Sequence, residues 1–287
     1  MKKTLLTLLM IAAFPVMAQV AVTAPTATTT AAPAIVNPNA SSSLADSTTN
    51  RVFIDQTGDG VNINVTQDGS GNTFGADSTY TKSITGIPNR LAAGGTRSFT
   101  LSEPVTLVGK GQTVNVIQLG NNNTIGLKAT NSTANSGEGV TVTINQTGNS
   151  NFVDAACGAG NASDGSTSLA AGCKSAVLNW AFTGNSNALQ FRGAGDSLNS
   201  NITVTGSSNE FYIDAVGNKH SQTLQVSGDY NVFNITQTGG GTNGSSVWAD
   251  ITGSTNRFTI SQTGALDGVV NIRATTNNST YNITQRP

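Results

Sequence analysis

Residues 140–153 read VTVTINQTGNSNFV, and this stretch decides the fold. From Val140 to Gln146, valine, isoleucine and glutamine alternate with threonine and asparagine. A period of two is typical of a β-strand that buries one face and exposes the other. The next four residues, Gly148 to Asn151, favour a tight turn, and Val153 resumes the apolar alternation. The stretch therefore predicts two strands joined by a turn.

The same pattern returns along the chain around a Gly-x-x-Asn turn. Complete copies occur at Gly69/Asn72, Gly120/Asn123, Gly148/Asn151, Gly184/Asn187, Gly206/Asn209, Gly228/Asn231 and Gly253/Asn256. Degenerate copies occur at Ser47/Asn50 and Thr276/Ser279, and a poor copy occurs at Gly94/Arg97. The steps from 47 to 69, from 184 to 206 and from 206 to 228 are 22 residues each. A period of this length predicts an all-β solenoid, here with about ten strand-turn-strand coils.

Three positions at fixed offsets from each turn stay apolar. Four residues before the glycine stand Val65, Val116, Ile144, Trp180, Ile202, Leu224 and Ala249. Two residues after the asparagine stand Phe74, Ile125, Val153, Leu189, Phe211, Phe233 and Phe258. Four residues after it stand Ala76, Leu127, Ala155, Phe191, Ile213, Ile235 and Ile260. We expect each column to form one buried file along the solenoid.

The chain divides into three segments. Residues 1–18 have the features of a signal peptide: Lys2 and Lys3 precede an apolar run, and Val16-Met17-Ala18 matches a cleavage site. That run is shorter than the roughly 20 residues needed to cross a bilayer, so the mature chain is expected to be exported without a membrane span. Residues 19–46, rich in Ala, Thr and Pro, predict a disordered linker or a segment read by an outer-membrane secretion channel. Residues 47–287 contain the repeats.

Insertions interrupt the repeats. Residues 77–111 are the least regular part and contain Pro88 and Pro104, so this coil is expected to be distorted and to carry an excursion. The insertion between Asn151 and Gly184 contains the only two cysteines of the chain, Cys157 and Cys173. Two cysteines in one loop of an exported protein predict a disulfide.

Composition argues against nucleic-acid binding and catalysis. Charged residues make up 10% of the chain and the net charge is −1, so no basic surface for nucleic acid is expected. The only histidine, His220, lies in a polar connection and is expected to be exposed to solvent. Acidic residues are spread singly rather than in the clusters that acid–base chemistry needs. We therefore expect a non-enzymatic protein without a metal or cofactor.

The repeat resembles the curlin repeat, Gln-x-Gly-x-Gly-Asn-x-Ala-x-x-x-Gln. Its first half is matched at Gln67-x-Gly69-x-Gly71-Asn72, and with substitutions in the turns that follow Gln118 and Gln146. The Asn-to-Gln spacing of its second half is kept by Asn50/Gln56, Asn231/Gln237, Asn256/Gln262 and Ser279/Gln285. The resemblance covers residues 47–287. It implies a secreted subunit at the cell surface that joins other fibre subunits in an extracellular amyloid-type fibre, for biofilm or adhesion.

The repeats also depart from that pattern. Curlins usually carry Ala two residues after the asparagine, where this chain carries Phe, Ile, Val or Leu. In the later repeats Phe182, Val204, Val226 and Ile251 replace the glutamine before the turn. The departures predict a bulkier apolar core, and they favour a minor, nucleating or specialised subunit over a main one.

Stacked coils have two consequences for assembly. Coils about 4.8 Å apart would let equal side chains bond along the axis, so the turn asparagines and six glutamines are expected to form amide ladders. The glutamines are Gln67, Gln118, Gln146, Gln237, Gln262 and Gln285. Only Arg286 and Pro287 follow the last predicted strand, so we expect uncapped ends and self-association head to tail.

Two other functions fit parts of the sequence. A monomeric β-solenoid adhesin or glycan-binding surface protein would use exposed aromatic residues such as Tyr212, Tyr230 and Trp248. An ice-binding protein would use outward pairs such as Thr141 and Thr143, but asparagines occupy the matching positions of other coils.

Overall fold

A computed structural model describes residues 49–58, 60–77, 80–88, 96–130, 140–158, 173–239, 243–265 and 267–286. These residues form twenty β-strands, and no helix occurs among them. The described residues therefore contain no helix that is long and apolar enough to cross a membrane. The predicted signal peptide and the segment of residues 19–46 lie outside the described residues.

The largest sheet consists of the strands that follow the turns, and we call it the post-turn sheet. In spatial order its main strands are β1 (Arg51–Val52), β4 (Thr73–Phe74), β9 (Thr124–Thr130), β11 (Phe152–Cys157), β14 (Ala188–Asp196), β15 (Glu210–Gly217), β16 (Val232–Gly239), β18 (Arg257–Gly264) and β20 (Thr280–Gln285). The shorter strands β2 (Ile54–Thr57), β7 (Val105–Val108) and β12 (Cys173–Lys174) complete it. Neighbouring strands are parallel, and equal positions of successive repeats pair, as Phe211, Phe233 and Phe258 do.

Strands that precede the turns form the opposite wall. The pre-turn sheet contains β3 (Asn62–Asp68), β8 (Thr113–Leu119), β10 (Thr141–Thr147) and β13 (Ala181–Thr183). Further along the axis β17 (Ser245–Ile251) pairs with β19 (Gly268–Ala274). Between these two groups, residues 199–205 and 221–227 have isolated bridges rather than the strands that their alternation predicts. Their apolar side chains, such as Ile202 and Leu224, are nevertheless fully buried in the expected columns.

The apolar columns of both walls meet in one continuous core. The column that begins at Phe74 is at most 1% exposed as far as Phe258, and Val116 and Ile144 face it from the pre-turn sheet. The molecule is therefore a parallel β-solenoid, as the sequence predicts. It has about eight coils rather than about ten.

The predicted coil within residues 77–111 does not form. Phe74 of β4 pairs with Val52 on one side and with Ile125 of β9 on the other, so no coil lies between them. The chain instead leaves the solenoid after Gly75 and returns at Val105, whose strand β7 continues the coil that β4 began. The excursion contains the antiparallel hairpin of β5 (Lys82–Pro88) and β6 (Thr96–Leu101). Arg97 of the poor repeat copy lies in β6 and makes no solenoid turn.

The hairpin packs on the outer face of the post-turn sheet. Phe99 lies with its ring centroid 5.0 Å from that of Phe152, and Ile84 packs against the same small cluster. Leu101 lies directly over Gly126, where a Cβ atom would be only 2.8 Å from the leucine methyl group. The excursion thus packs Ile84, Phe99 and Leu101 against the outside of the solenoid, whereas Val105 and Leu107 of β7 lie in its core.

Candidate functional site

Glycine is required at the turn positions for two reasons: the backbone has a positive φ, and the next coil lies too close for a Cβ atom. Gly148 has a φ of 113°, in the left-handed half of conformational space that disfavours other residues. A Cβ atom there would overlap the carbonyl oxygen of Gly184 in the next coil. Gly69, Gly120, Gly184, Gly206, Gly228 and Gly253 also have positive φ and a carbonyl oxygen of the next coil in the same place. The glycines therefore set both the turn and the close spacing of coils.

The turn asparagines form a continuous ladder, which we call the inner ladder. Its members are Asn50, Asn72, Asn123, Asn151, Asn187, Asn209, Asn231, Asn256 and, in the last coil, Ser279. Asn209 shows the repeating step: its backbone N–H and its Nδ2 donate to Oδ1 of Asn187 at 3.0 and 3.1 Å. Its Nδ2 also donates to the carbonyl of Gly228 at 2.8 Å. Each buried amide thus ties its coil to both neighbours.

A second ladder runs beside the first, and its backbone-to-side-chain hydrogen bonds point in the opposite direction along the axis. Its members follow the turn glycine, or Thr276 in the last coil: Ser70, Asn121, Asn149, Asn185, Ser207, Asp229, Ser254 and Asn277. In this outer ladder the side-chain oxygen accepts the backbone N–H of the preceding coil, as when Asn149 donates to Asn185 at 2.7 Å. The sequence interpretation missed it, although every member is Ser, Asn or Asp and can accept a hydrogen bond.

The six predicted glutamines form two ladders on opposite walls. On the pre-turn sheet Gln67 donates to Gln118 at 2.7 Å, and Gln118 donates to Gln146 at 2.9 Å. On the post-turn sheet Gln237, Gln262 and Gln285 form the second series, with donor–acceptor distances of 2.9 and 2.8 Å. Gln222 joins this series from the other wall by donating to Gln237.

An aromatic file runs through the C-terminal half of the core. The rings of Phe211, Phe233, Phe258 and Tyr281 lie parallel, with successive centroids 4.9, 4.9 and 4.7 Å apart. Phe74 lies in the same column near the other end, but Ile125, Val153 and Leu189, which separate it from Phe211, are aliphatic. Tyr281 lies in the edge strand β20, so this file continues as far as the last described coil.

Both ends of the described solenoid leave core columns partly exposed. At one end Val52 is 40% exposed, and Ile54, Ile63 and Val65 are only partly buried. At the other end Tyr281 and Ile283 of β20 are partly buried. Strand β20 pairs with β18 on one side, and no described strand pairs with its other edge. Each end thus combines apolar side chains with a backbone edge, which are the features that template the addition of another strand.

The cysteines form a disulfide, with Cα atoms 5.3 Å apart. Cys157 ends β11 and Cys173 lies in β12, and both side chains are fully buried at the edge of the core. The bond closes the insertion of the coil that contains the Asn151 turn and holds its two ends against β14.

The structure contradicts the expected exposure of His220. Its side chain is fully buried, and neither ring nitrogen has a hydrogen-bond partner among the described residues. Burial lowers the pKa of the His220 imidazole below its ordinary value, and the nearby backbone of Val216 and Ser245 offsets this only in part. His220 lies between strands, as its polar neighbours in the sequence predict, but those neighbours do not show which residues pack over it.

Several charged side chains in the described part of the chain form separate ion pairs. Asp214 pairs with Arg192, and Asp250 lies 3.3 Å from Arg273. No group of three His, Cys, Asp or Glu side chains with metal-binding spacing occurs among the described residues. The aromatics proposed for a glycan site are separated, since Tyr212 lies on β15, Trp248 on β17 and Tyr230 in a turn.

Comparisons with protein-family models, with curated proteins and with solved structures give no match to this chain. The class of the protein therefore follows from its architecture alone. It is a parallel β-solenoid whose coils are joined by four series of polar side chains and by one file of stacked rings.

Proposed function

We propose that this chain is an exported structural subunit whose solenoids stack end to end into an extracellular amyloid-type fibre, in the manner that the curlin resemblance implies. The observation that supports this is the match between the two open ends. Counted from the turn, Tyr281 and Ile283 occupy the columns that Val52 and Ile54 occupy at the opposite end. A second copy could therefore continue each column in register.

The physical chemistry of the ends favours such stacking. Burying partly exposed apolar side chains gains roughly 25 cal/mol for each Å² removed from water. The unpaired edge of β20 would gain the same parallel hydrogen bonds that already join β18 to β20. In the same register Gln285 would meet Gln56 of the next copy and extend the glutamine ladder of the post-turn sheet.

Export and a role at the cell surface belong to the same proposal. The signal-peptide features of residues 1–18 support passage across a membrane. The disulfide between Cys157 and Cys173 suits an oxidising compartment outside the cytosol. A secretion channel and other fibre subunits are the partners that the resemblance implies, with biofilm or adhesion as the use.

The first test is assembly of the mature chain. The purified protein is expected to bind thioflavin T and to form fibres with a repeat of about 4.8 Å along the axis. A protein that stays monomeric and dye-negative at high concentration would refute the proposal.

The second test measures the register between copies. Asp55 and Thr284 are exposed, point outward and occupy equal positions after their turns. We expect a mixture of the single variants Asp55→Cys and Thr284→Cys to form a cross-linked pair on oxidation within fibres. Neither variant alone should do so, because each then lacks its partner cysteine. The native cysteines are buried and bonded to each other, so they do not compete. Cross-links in either unmixed sample would indicate a different packing of the ends.

A further inference from the structure

We infer that Ser279 is a brake on end-to-end stacking, and this inference rests on the proposed function. Ser279 occupies the inner-ladder position of the coil whose outer neighbour would be a second copy of the chain. Every earlier member of that ladder, from Asn50 to Asn256, is an asparagine. The ladder therefore changes from an amide to a hydroxyl side chain at the coil that would contact a second copy.

Each step of the inner ladder from Asn123 to Asn256 contains three hydrogen bonds, one of which joins the two side-chain amides. The steps that lead to Asn72, Asn123 and Ser279 lack this amide–amide bond. Between Asn187 and Asn209, two donors of Asn209 bond to the Oδ1 of Asn187, and the Nδ2 of Asn187 bonds to the carbonyl of Gly206 at 2.8 Å. An asparagine thus offers an acceptor and a donor to the coil that follows it. The same set is present at the step from Asn231 to Asn256.

Ser279 cannot offer that set. Its backbone N–H completes the step from Asn256, donating to Oδ1 at 3.1 Å. Its hydroxyl is shorter than an asparagine side chain by one bond, carries no amide donor and already donates to the carbonyl of Asn277 at 3.3 Å. A copy stacked on this coil would bring the backbone N–H of its Asn50 to a position where no amide oxygen meets it.

The opposite end keeps its asparagine. Asn50 accepts the backbone N–H of Asn72 at 3.0 Å, and its Nδ2 donates to the carbonyl of Gly69 at 3.0 Å. Every step within the chain thus keeps an asparagine oxygen and an amide donor for the following coil, and the contact between copies lacks both. The consequence is that coils join within one chain more strongly than chains join to each other, so folding precedes assembly.

The test is Ser279→Asn, compared with Thr280→Asn. Thr280 is exposed next to the ladder, so the control adds the same amide outside it. With fixed amounts of sonicated fibre seeds and monomer, thioflavin T should report elongation of Ser279→Asn about two- to tenfold faster than wild type, the factor that one net hydrogen bond provides. Thr280→Asn and Ser279→Ala should not exceed the wild-type rate.

A second measurement separates the junction from the fold. One added hydrogen bond, from Nδ2 of the new amide to Oδ1 of Asn256, would form within the soluble monomer, as it does between Asn209 and Asn187, so the thermal midpoint of the Ser279→Asn monomer should rise slightly. The amide oxygen and the second amide bond act only when a second copy is present, so the elongation rate reports the junction. Equal elongation of Ser279→Asn and wild type, or an acceleration that Thr280→Asn matches, would overturn the brake while leaving the fibre proposal intact. Wild type and variant that both remain monomeric and dye-negative would instead overturn the proposed function, and the brake with it.

Discussion

The ring of Phe258 lies parallel to that of Phe233, with centroids 4.9 Å apart and 4° between the planes. The separation equals the spacing of parallel strands, roughly 4.8 Å, so the backbone repeat rather than ring preference sets it. Parallel rings at such a distance pack efficiently only if each coil repeats the same side-chain conformation. The aromatic file is therefore a direct sign that the coils are in register.

Truncation of this file should destabilise the solenoid strongly. Phe233→Ala removes a fully buried ring that is stacked on both faces, and we expect it to cost about 3–5 kcal/mol of unfolding free energy. Asn234→Ala, at the adjacent outward position of β16, is the matched control and should change stability by less than about 0.5 kcal/mol. Urea unfolding of the three proteins measures both values. Equal effects would show that Phe233 is not in the core.

The inner ladder should be sensitive to loss of one amide. Asn187→Ala leaves the backbone N–H of Asn209 and the carbonyl of Gly206 without their side-chain partner inside the protein. Buried groups left unpaired cost about 1–3 kcal/mol each, so we expect the two groups together to cost roughly 2–6 kcal/mol. Alanine in place of the exposed Asn271 tests whether asparagine content alone matters. A variant at position 187 as stable as that control would contradict the ladder.

Alanine substitutions at two glycines distinguish the energetic cost of a positive φ from the cost of close contact between coils. Gly148 and Gly111 both have positive φ, 113° and 67°. A Cβ atom would overlap the next coil at Gly148 but would meet nothing within 4 Å at Gly111. We expect Gly111→Ala to cost about 1–2 kcal/mol from φ alone. Gly148→Ala should cost roughly 2–5 kcal/mol, since overpacking adds to that strain. Similar thermal midpoints for the two variants would argue against close packing at the turn.

The sequence predicted the columns and the turns because their signals are local and repeated. A period of two fixes which side chains share a face, and a period of 22 residues fixes which turns stack. The file of Phe211, Phe233 and Phe258 follows from these two periods. The inner ladder follows as well, because asparagine recurs at one position of every complete turn.

The failed coil shows where such reasoning ends. Phe99 and Leu101 stand at the correct offsets after Arg97, so they satisfy two of the apolar columns. They are buried, but against Phe152 and Gly126 on the outside of the sheet. Apolar alternation indicates that one face of a strand is buried, but it does not identify the residues that pack against that face. His220 was misjudged for a related reason, because its polar neighbours in sequence do not reveal what packs over it.

The buried imidazole of His220 should make stability depend on pH in a narrow range. Its pKa in the folded protein is lowered, chiefly by burial, below the value of 6.5 that it has when exposed. Below pH 6.5 the unfolded chain therefore binds a proton that the folded chain resists. The stability contribution is complete above 6.5, falls as the pH drops from 6.5 towards the lowered pKa, and levels off below that pKa. The carboxylate of Asp267 contributes only in a lower range, because hydrogen bonds from Asn243 lower its pKa from 3.8.

Urea midpoints from pH 8 to pH 5 measure this dependence. The wild type is expected to lose stability on acidification below pH 6.5, whereas His220→Leu should show a flatter profile over the same interval. Because the chain has one histidine, NMR titration of its imidazole reports the folded pKa directly and does not rely on the variant folding well. An imidazole that titrates at or above 6.5 in the folded protein would show that His220 is not desolvated.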